Sequence, residues 1–321
     1  MENTRPKVLL TRKLPAVVEN RLRSTYEVRL NTTDQPMSKA ELSVAMSNFD
    51  ALVSTVSDPL DATVLQAGNR RVQIIANVGV GYSNIDTKTA GDEGIAVSNT
   101  PDVLTDATAD IALLLILSVT RRAYAAERTL RDGRWEGFSL VDGLGRSMQG
   151  KVIGIIGMGR IGRATARRAV FALGMKVVFY NRSPITDLDF EATRLDTIDE
   201  VMESADVVSL HVPGSGSSPT VNAAHIALLK PTSYLVNTAR GDSIDQAALI
   251  AALTEGRIAG AGLDVYMDEP EVPNELRMLH NVTLLPHIGS ATEEVRTAMG
   301  MVAANNLDAF FSNTSLPNKV V

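Results

Sequence analysis

Histidine is the side chain best suited to transfer a proton near neutral pH, and this chain contains 4 histidines. His225 lies within a helical pattern and His280 in a polar loop, so we interpret both as surface or packing residues. His211 and His287 each follow an apolar segment that is typical of a strand. We expect these two side chains at the carboxyl ends of strands in one sheet, where ligands bind in open α/β structures.

Two charged side chains could act together with such a histidine. Glu269 follows the apolar segment 260–265, and a carboxylate beside a histidine favours the imidazolium form that donates a proton. Arg240 follows the segment 234–237, and a guanidinium is the natural bidentate partner of a substrate carboxylate. The three residues would suit protonation of a carbonyl oxygen in a small acid. A solvated ion pair or a loop role is the alternative for each.

A glycine-rich turn provides a second kind of site. Gly157, Gly159 and Gly162 form a G-x-G-x-x-G pattern, which is weak alone because the chain has 23 glycines. The segment 152–156 before it is typical of a buried parallel strand, and 160–172 after it is typical of a helix. In this context the glycines predict a dinucleotide site with the pyrophosphate at the helix N-terminus, the alternative being a plain strand-to-helix turn.

The residues after the next expected strand, 176–180, bear on which dinucleotide binds. They are Asn181, Arg182 and Ser183. There is no Asp or Glu here to accept hydrogen bonds from a free ribose 2′-hydroxyl. Amide and hydroxyl donors beside a guanidinium suit a 2′-phosphate, so the segment predicts NADP(H) in preference to NAD(H). Arg182 could instead stack on adenine, which leaves NAD(H) as the alternative cofactor.

Two parallel sheets are needed to position these residues. Short apolar segments alternate with amphipathic helical patterns along the chain, which is typical of parallel strands covered by helices. The strands of a first small sheet are expected at residues 7–10, 27–30, 51–54, 72–76 and 96–98. The strands of a second, larger sheet are expected at residues 152–156, 176–180, 207–210, 234–237, 260–265 and 282–285.

Helical patterns connect the two sheets. One long helix is expected over residues 105–132, linking two domains. A last helix, 292–311, follows the second sheet and is expected to fold back on the first domain. Ser38 and Glu41 have the spacing of a capping box, which predicts a helix start at that point.

The composition excludes several other kinds of site. With 321 residues, 45% of them hydrophobic and 21% charged, the chain is expected to fold into two ordinary domains. A net charge of -6 argues against a nucleic-acid or anionic-membrane partner. The lack of cysteine excludes disulfides and cysteine metal ligands, and we expect no metal. No segment has the length of a signal peptide core or a membrane span, so we expect a cytoplasmic protein.

Three segments resemble the signatures of the D-isomer-specific 2-hydroxyacid dehydrogenases in sequence, order and spacing. They are residues 236–241 (VNTARG), 262–266 (GLDVY) with 269–270 (EP), and 286–292 (PHIGSAT). The similarity extends over nearly the whole chain. It is strongest to the glyoxylate, hydroxypyruvate and 2-ketogluconate reductase branch, which is similar also in its Asn-Arg-Ser segment.

The resemblance implies roles for the residues at the reacting centre. His287 would be the acid/base, Glu269 would orient it, and Arg240 would bind the substrate carboxylate and polarise the carbonyl. The first domain would contribute a substrate loop in which the N–H groups of Val78 and Gly79 face an anion. A tight turn is the alternative for that loop. Ser54 is expected beside the substrate pocket.

The resemblance also implies a cofactor crevice. Asp264 would meet the nicotinamide carboxamide, with a strand-end cap as its alternative role. The remaining cofactor-binding residues would be Thr105, Arg160, Ile161, His211, Pro213, Thr238, His287 and Gly289, in addition to the glycine turn and the Asn-Arg-Ser segment.

Members of this family have a Rossmann NAD(P)-binding domain inserted into a discontinuous flavodoxin-like substrate domain. The resemblance therefore implies two α/β domains, each a doubly wound parallel sheet. We expect the substrate domain at residues 1–99 and 288–321 and the cofactor domain at 100–287. Family members are usually homodimers joined through the cofactor domains, and Trp135 and Phe138 would either reach the partner subunit or pack locally.

The function that the resemblance implies is the NAD(P)H-dependent reduction of a small 2-oxo acid to its D-2-hydroxy acid. Two alternatives share the fold. Formate dehydrogenases are similar but place a glutamine before the histidine, where this chain has Pro286. A non-enzymatic NAD(H)-sensing corepressor is the alternative from another functional class.

Overall fold

The computed structural model describes residues 5–214, 216 and 218–321, and it contains two compact units. The first unit comprises the chain up to Leu104 together with Ser290–Val321, and the second comprises Thr105–Gly289. One unit is thus inserted into the other. Because each unit has its own parallel sheet, the predicted fold class is confirmed.

The first unit is built on five parallel strands in the order β2-β1-β3-β4-β5. The strands are β1 (Lys7–Leu10), β2 (Glu27–Leu30), β3 (Ala51–Thr55), β4 (Ile74–Val78) and β5 (Ala96–Ser98). The helices are α1 (Ala16–Thr25), α2 (Lys39–Asn48), α3 (Ala62–Leu65) and α4 (Thr87–Asp92). The capping box is confirmed, because the Ser38 side chain accepts from the Glu41 N–H while Glu41 accepts from the Ser38 N–H at the start of α2.

Strand β4 lies two residues further along the chain than the sequence predicts. The N–H of Val72 donates to the carbonyl of Met46 in the last turn of α2, and pairing with β3 begins only at Ile74. As a result Asn77 and Val78 belong to the end of the strand.

The second unit contains a seven-stranded parallel sheet in the order β12-β11-β10-β9-β6-β7-β8. Its strands are β6 (Val152–Ile156), β7 (Lys176–Tyr180), β8 (Ala192–Arg194), β9 (Val207–Leu210), β10 (Tyr234–Asn237), β11 (Gly260–Leu263) and β12 (Val282–Leu284). Its helices are α5 (Thr105–Thr120), α6 (Ala123–Arg131), α7 (Arg160–Leu173), α8 (Ile198–Ser204), α9 (Ala223–Ala227), α10 (Gln246–Thr254) and α11 (Asn274–Met278). Apolar clusters cover both faces of this sheet.

The prediction of one helix over residues 105–132 is wrong, because the helix is interrupted between α5 and α6. The Thr120 carbonyl accepts from the Arg146 N–H at 2.8 Å, which takes the acceptor that a continuing helix would use. Arg122 then adopts a left-handed conformation with φ of 54°. The break depends on a segment far along the chain, so no local pattern indicates it.

The last helix, α12 (Glu293–Phe311), belongs to the first unit, as predicted from the sequence. It packs against β4 and α1. A Cβ on Gly300 would lie 2.7 Å from Val18, so the missing side chain allows close contact between α12 and α1. The Tyr26 hydroxyl donates to Asp308 at 2.7 Å and joins the two helices. Among the described residues, no helix is both long and apolar enough to cross a membrane.

Candidate active site

His287 and Glu269 form a hydrogen-bonded pair in the second unit. The distance between His287 Nδ1 and Glu269 Oε2 is 2.6 Å, and both side chains are about one-third exposed. An ionised carboxylate can only accept, so Nδ1 donates and Nε2 is left for another partner. The His287 backbone has a φ of 53°, and its N–H donates to the Asp264 carbonyl at 2.9 Å. The turn after β12 therefore presents the imidazole to Glu269.

The second oxygen of Glu269 is also held. Oε1 accepts from the Tyr266 N–H at 3.0 Å. Burial alone would raise the pKa of Glu269, but the hydrogen bond and charge of His287, the Tyr266 amide and Arg240 outweigh it and lower that pKa. Glu269 is thus an ionised carboxylate that favours a positive charge on the imidazole.

Asp264 fixes the turn that carries the histidine. It follows β11 and is 1% exposed. Its two carboxylate oxygens accept from the N–H groups of Ile288 at 2.7 Å and Gly289 at 2.8 Å. Burial raises the pKa of Asp264 against the effect of these two amides. The placement agrees with a cap at the strand end, and the contact with a nicotinamide carboxamide stays a prediction.

Tyr266 connects the two strands that carry Glu269 and His287, and the sequence analysis did not single it out. While its N–H holds Glu269, its hydroxyl donates to the Leu285 carbonyl at 2.8 Å, two residues before His287. A tyrosine at the end of an apolar segment gives no signal of this role, because the acceptor lies on the neighbouring strand.

Arg240 follows β10 in the same unit. Its Nη1 donates to the Ala239 carbonyl at 2.7 Å, and Asn237 holds its backbone by donating to the Arg240 carbonyl at 2.8 Å. Burial lowers the pKa of Arg240, although the charges of Glu269 and Asp242 act in the opposite direction. The structure therefore places a half-buried guanidinium within the electrostatic range of Glu269.

Gly241 allows the Arg240 loop to approach the Glu269 turn. A Cβ on Gly241 would lie 1.9 Å from the Tyr266 carbonyl carbon, so no larger residue fits without moving the backbone. The same peptide group of Tyr266 precedes the turn that holds Glu269. Arg240, Glu269 and His287 thus all lie at the carboxyl ends of strands in the seven-stranded sheet.

The glycine turn after β6 has the geometry that its sequence predicts. Gly157 has a φ of 94°, and a Cβ there would lie 2.5 Å from the His211 carbonyl. A Cβ on Gly162 would lie 2.1 Å from the Gly157 carbonyl, which explains the need for glycine at both positions. A Cβ on Gly159 would meet nothing within 4 Å, so the space in front of the α7 N-terminus is open to a ligand.

Asn181 is tied to the glycine turn. Its Oδ1 accepts from the Met158 N–H at 3.0 Å, and its Nδ2 donates to the Ser183 carbonyl at 2.9 Å. Its oxygen is thus occupied, while one of the two N–H groups of Nδ2 is left for another acceptor, and the contact of Asn181 with a phosphate stays a prediction. Arg182 and Ser183 are exposed and stay candidates for that contact.

Two buried polar atoms at the ends of neighbouring strands of this sheet have no hydrogen-bond partner among the described residues: His211 Nδ1 after β9, close to the glycine turn, and Thr238 Oγ1 after β10. The other ring nitrogen of His211 lies 2.9 Å from the Ser209 hydroxyl, and burial lowers the pKa of His211 to about 3. The ring is therefore neutral, which suits hydrogen bonding to a ligand. Together with the open space at Gly159, these atoms fit a polar group such as a dinucleotide.

The other predicted cofactor residues in the second unit are Thr105 at the start of α5, Arg160 and Ile161 at the start of α7, exposed Pro213, and buried Gly289. The Gly289 carbonyl accepts from the Thr108 hydroxyl at 3.1 Å, which fixes it against α5. Their contacts with a cofactor stay predictions. Among the described residues no cluster of three or more acidic or histidine side chains could hold a metal ion.

The predicted substrate residues of the first unit lie at the ends of β3 and β4. Ser54 is fully buried, and its hydroxyl donates to Asn77 Oδ1 at 3.2 Å, so this placement does not support direct contact with a substrate. The Gly79 N–H donates to the Asn77 carbonyl at 3.0 Å within a tight turn, and its contact with an anion stays a prediction. The role of Val78 stays a prediction.

Comparison with known proteins agrees with this geometry. Residues 113–289 match the model of the D-isomer specific 2-hydroxyacid dehydrogenase NAD binding domain. A glyoxylate reductase of Thermococcus litoralis is 41% identical over 323 residues, covering 98% of this chain and 97% of the relative.

Solved structures give the same result. The NADPH-dependent glyoxylate/hydroxypyruvate reductase of Sinorhizobium meliloti, in complex with NADP and malonate, has a TM-score of 0.88 at 37% identity, covering 99% of this chain and 97% of that chain. A glyoxylate reductase from Paecilomyes thermophila has a TM-score of 0.87 at 32% identity, covering 100% of this chain and 99% of that chain.

The chain therefore belongs to the D-isomer specific 2-hydroxyacid dehydrogenase family. It is an oxidoreductase with an NAD-binding Rossmann domain, which the second unit provides. The resemblance and the enzyme class inferred from the sequence are confirmed.

Proposed function

We propose that this enzyme reduces a small 2-oxo acid of the glyoxylate, hydroxypyruvate or 2-ketogluconate type to the D-2-hydroxy acid, using NAD(P)H. The observation that carries the proposal is the 2.6 Å pair of His287 and Glu269 in the unit that also holds Arg240 and the glycine turn. The relatives that are named glyoxylate reductases support the class of substrate.

Each residue of the site has a distinct task in this proposal. The glycine turn after β6 would hold the dinucleotide, whose reduced nicotinamide would supply the hydride for the carbonyl carbon. The Arg240 guanidinium binds the substrate carboxylate and draws electron density toward the carbonyl oxygen. His287 donates the proton from Nε2 to that oxygen, while Glu269 holds Nδ1 and favours the protonated ring. In the reverse direction His287 accepts the proton from the hydroxyl group.

We infer a preference for NADP(H) over NAD(H). No carboxylate follows β7 to accept from a free 2′-hydroxyl, and Arg182 is exposed at the position where the adenosine ribose binds in this fold. The relative from Sinorhizobium meliloti was solved with NADP, which supports the inference. A kcat/KM ratio for NADPH over NADH below one would overturn the preference.

The function is tested by following oxidation of NADPH and NADH with glyoxylate, hydroxypyruvate and 2-ketogluconate. We expect His287→Ala to lower kcat/KM about 1000-fold, because the proton donor is lost. His280→Ala is the matched control, since His280 is exposed and precedes the opposite, amino end of β12. Activity of His287→Ala within a few-fold of wild type would refute the assigned role.

We also propose that the enzyme is a homodimer joined through the second unit. The segment 133–147 has no helix or strand and carries five large apolar side chains that are between 63% and 87% exposed: Trp135, Phe138, Leu140, Val141 and Leu144. Such a concentration of apolar surface is typical of an interface. This exposure argues against local packing of Trp135 and Phe138 and supports a second copy of the chain as the partner.

A further inference from the structure

Arg194 lies at the corner of the second unit where the glycine turn and β7 meet. It is the last residue of β8, the edge strand that the sequence analysis missed. Its backbone is paired with Phe179 of β7, and its Nη2 donates to the Asn181 carbonyl at 3.2 Å. The guanidinium is thus held against the segment that follows β7.

Two arginine side chains at this corner are without an ion-pair partner among the described residues. Arg182 and Arg194 are both exposed, and neither forms an ion pair with a described residue. Asp189 is paired with Arg167 at 2.7 Å. Glu200 accepts from the backbone N–H groups at the start of α8. Two guanidinium groups are therefore available to an anion.

The position of these groups relative to the glycine turn indicates which anion they suit. The side-chain oxygen of Asn181 accepts from the Met158 N–H of the glycine turn, and its backbone carbonyl accepts from Arg194. In dinucleotide-binding sheets the adenosine ribose lies at the end of the strand that follows the glycine turn and its helix, which is β7 here. A substituent on the ribose 2′-oxygen would come to this corner.

We propose that Arg194 is a specificity-determining residue that binds the 2′-phosphate of NADP(H) together with Arg182. This inference rests on the proposed NADP(H)-dependent function. A 2′-phosphate has a charge of about −1.5 to −2 at neutral pH and accepts several hydrogen bonds. A guanidinium has five N–H donors in a planar fork, so one bond to the Asn181 carbonyl leaves donors for a phosphate. That bond also orders the side chain before the ligand arrives, which reduces the entropy lost on binding.

The test compares two ligands that differ only by the 2′-phosphate, adenosine 2′,5′-bisphosphate and adenosine 5′-monophosphate, by isothermal titration calorimetry. We expect wild type to bind the bisphosphate more tightly. Arg194→Ala is expected to raise the dissociation constant of the bisphosphate about tenfold and to change that of the monophosphate by less than about twofold. The affinity of Arg194→Lys for the bisphosphate should lie between those of wild type and Arg194→Ala, because lysine keeps the positive charge but lacks the planar fork of donors.

Arg257→Ala is the matched control. Arg257 is exposed, and its Nε donates to Glu255 before the amino end of β11. Its replacement by alanine changes the net charge without changing the corner at Arg194. We expect it to bind both ligands as wild type does.

The outcomes separate this inference from the proposed function. If wild type prefers the bisphosphate and Arg194→Ala keeps the full preference, the assignment of Arg194 is overturned while the NADP(H) preference stands. Equal weakening of both ligands by Arg194→Ala would mean a structural role and would also overturn it. If wild type binds the two ligands equally, the NADP(H) preference and the assignment of Arg194 both fail.

Discussion

Glu269 is the residue on which the electrostatics of the candidate site depend. One of its oxygens is bound by His287 and the other by the Tyr266 amide, so its charge has a fixed position. Burial opposes the ionised form, but its partners lower the pKa of Glu269 below the ordinary value. The carboxylate is therefore charged throughout the neutral range, where a proton donor is needed.

Replacing Glu269 by glutamine should change the pH dependence of the reaction. The neutral amide no longer favours the protonated imidazole of His287, so the alkaline limb of the kcat profile for reduction should move to lower pH. We expect kcat at neutral pH to fall by about 10-fold to 100-fold. Steady-state rates measured between pH 5 and 9 test this. Asp268→Asn is the control, and a profile of Glu269→Gln that coincides with wild type would contradict the prediction.

His211 should make the folded state sensitive to acid. Burial lowers the pKa of His211 to about 3, from the ordinary value of 6.5. Between these values the unfolded chain binds the proton and the folded chain does not, so stability falls as pH decreases through that range. Between pH 7 and pH 5 this proton uptake should lower the free energy of unfolding of wild type by roughly 2 kcal/mol. We expect His211→Asn to lack this decrease, as measured by urea unfolding at the two pH values.

The control for this measurement is His280→Asn. His280 is exposed, so its replacement should leave the acid dependence unchanged. An identical loss of stability in wild type and His211→Asn would show that His211 does not cause the acid sensitivity.

At the scale of elements, the site depends on how closely the loop after β10 approaches the turn after β11. Gly241 contacts the Tyr266 peptide, and the Tyr266 hydroxyl reaches the Leu285 carbonyl at the end of β12. Three strand ends are thus joined by one tyrosine and one glycine. The relative positions of Arg240, Glu269 and His287 follow from this packing.

A methyl group at position 241 should disturb all three strand ends. In Gly241→Ala the new Cβ would lie 1.9 Å from a backbone carbon, so the backbone must move. We expect a loss of about 3 kcal/mol in the free energy of unfolding and a reduced kcat/KM. Gly68→Ala is the matched control, because a Cβ there meets nothing within 4 Å. Urea unfolding of Gly241→Ala that matches this control would contradict the close packing.

At the scale of the whole molecule, the apolar segment 133–147 lacks contacts that would bury its large side chains within one chain. Burying them against a second copy would remove them from water, which is favourable in proportion to the apolar area. The exposed side chains belong to the second unit, so the proposed dimer does not require the sheet of the first unit.

A charge at the most exposed aromatic residue should weaken the proposed dimer. Phe138 is 87% exposed, so Phe138→Asp should leave the fold of one chain intact while placing a charge in the interface. We expect sedimentation to change from twice the chain mass of 34.4 kDa toward the single chain. Val44→Asp, on an exposed site of α2, should remain dimeric. A monomeric wild type would refute the proposal.

Local patterns in the sequence determined most of the strands and the identity of the candidate groups. Alternating strands and helices predict both sheets, and residue types and spacing are sufficient to single out the glycine turn, Arg240, Glu269 and His287. Local sequence is sufficient here because strand hydrophobicity, capping and turn chemistry act over a few residues. The strand β8, with only the short segment Ala-Thr-Arg at a sheet edge, was missed because it lacks such a pattern.

Only the tertiary structure decided how these groups are held. The 2.6 Å pair of His287 and Glu269 joins residues 18 positions apart, and the bond from Arg194 to Asn181 joins residues 13 apart. The break after α5 comes from Arg146, and the burial of Ser54 comes from its neighbours in the sheet. Such contacts depend on the packing of elements that are distant in the chain, so hydrogen-bond partners and burial follow from the fold and not from the residue types.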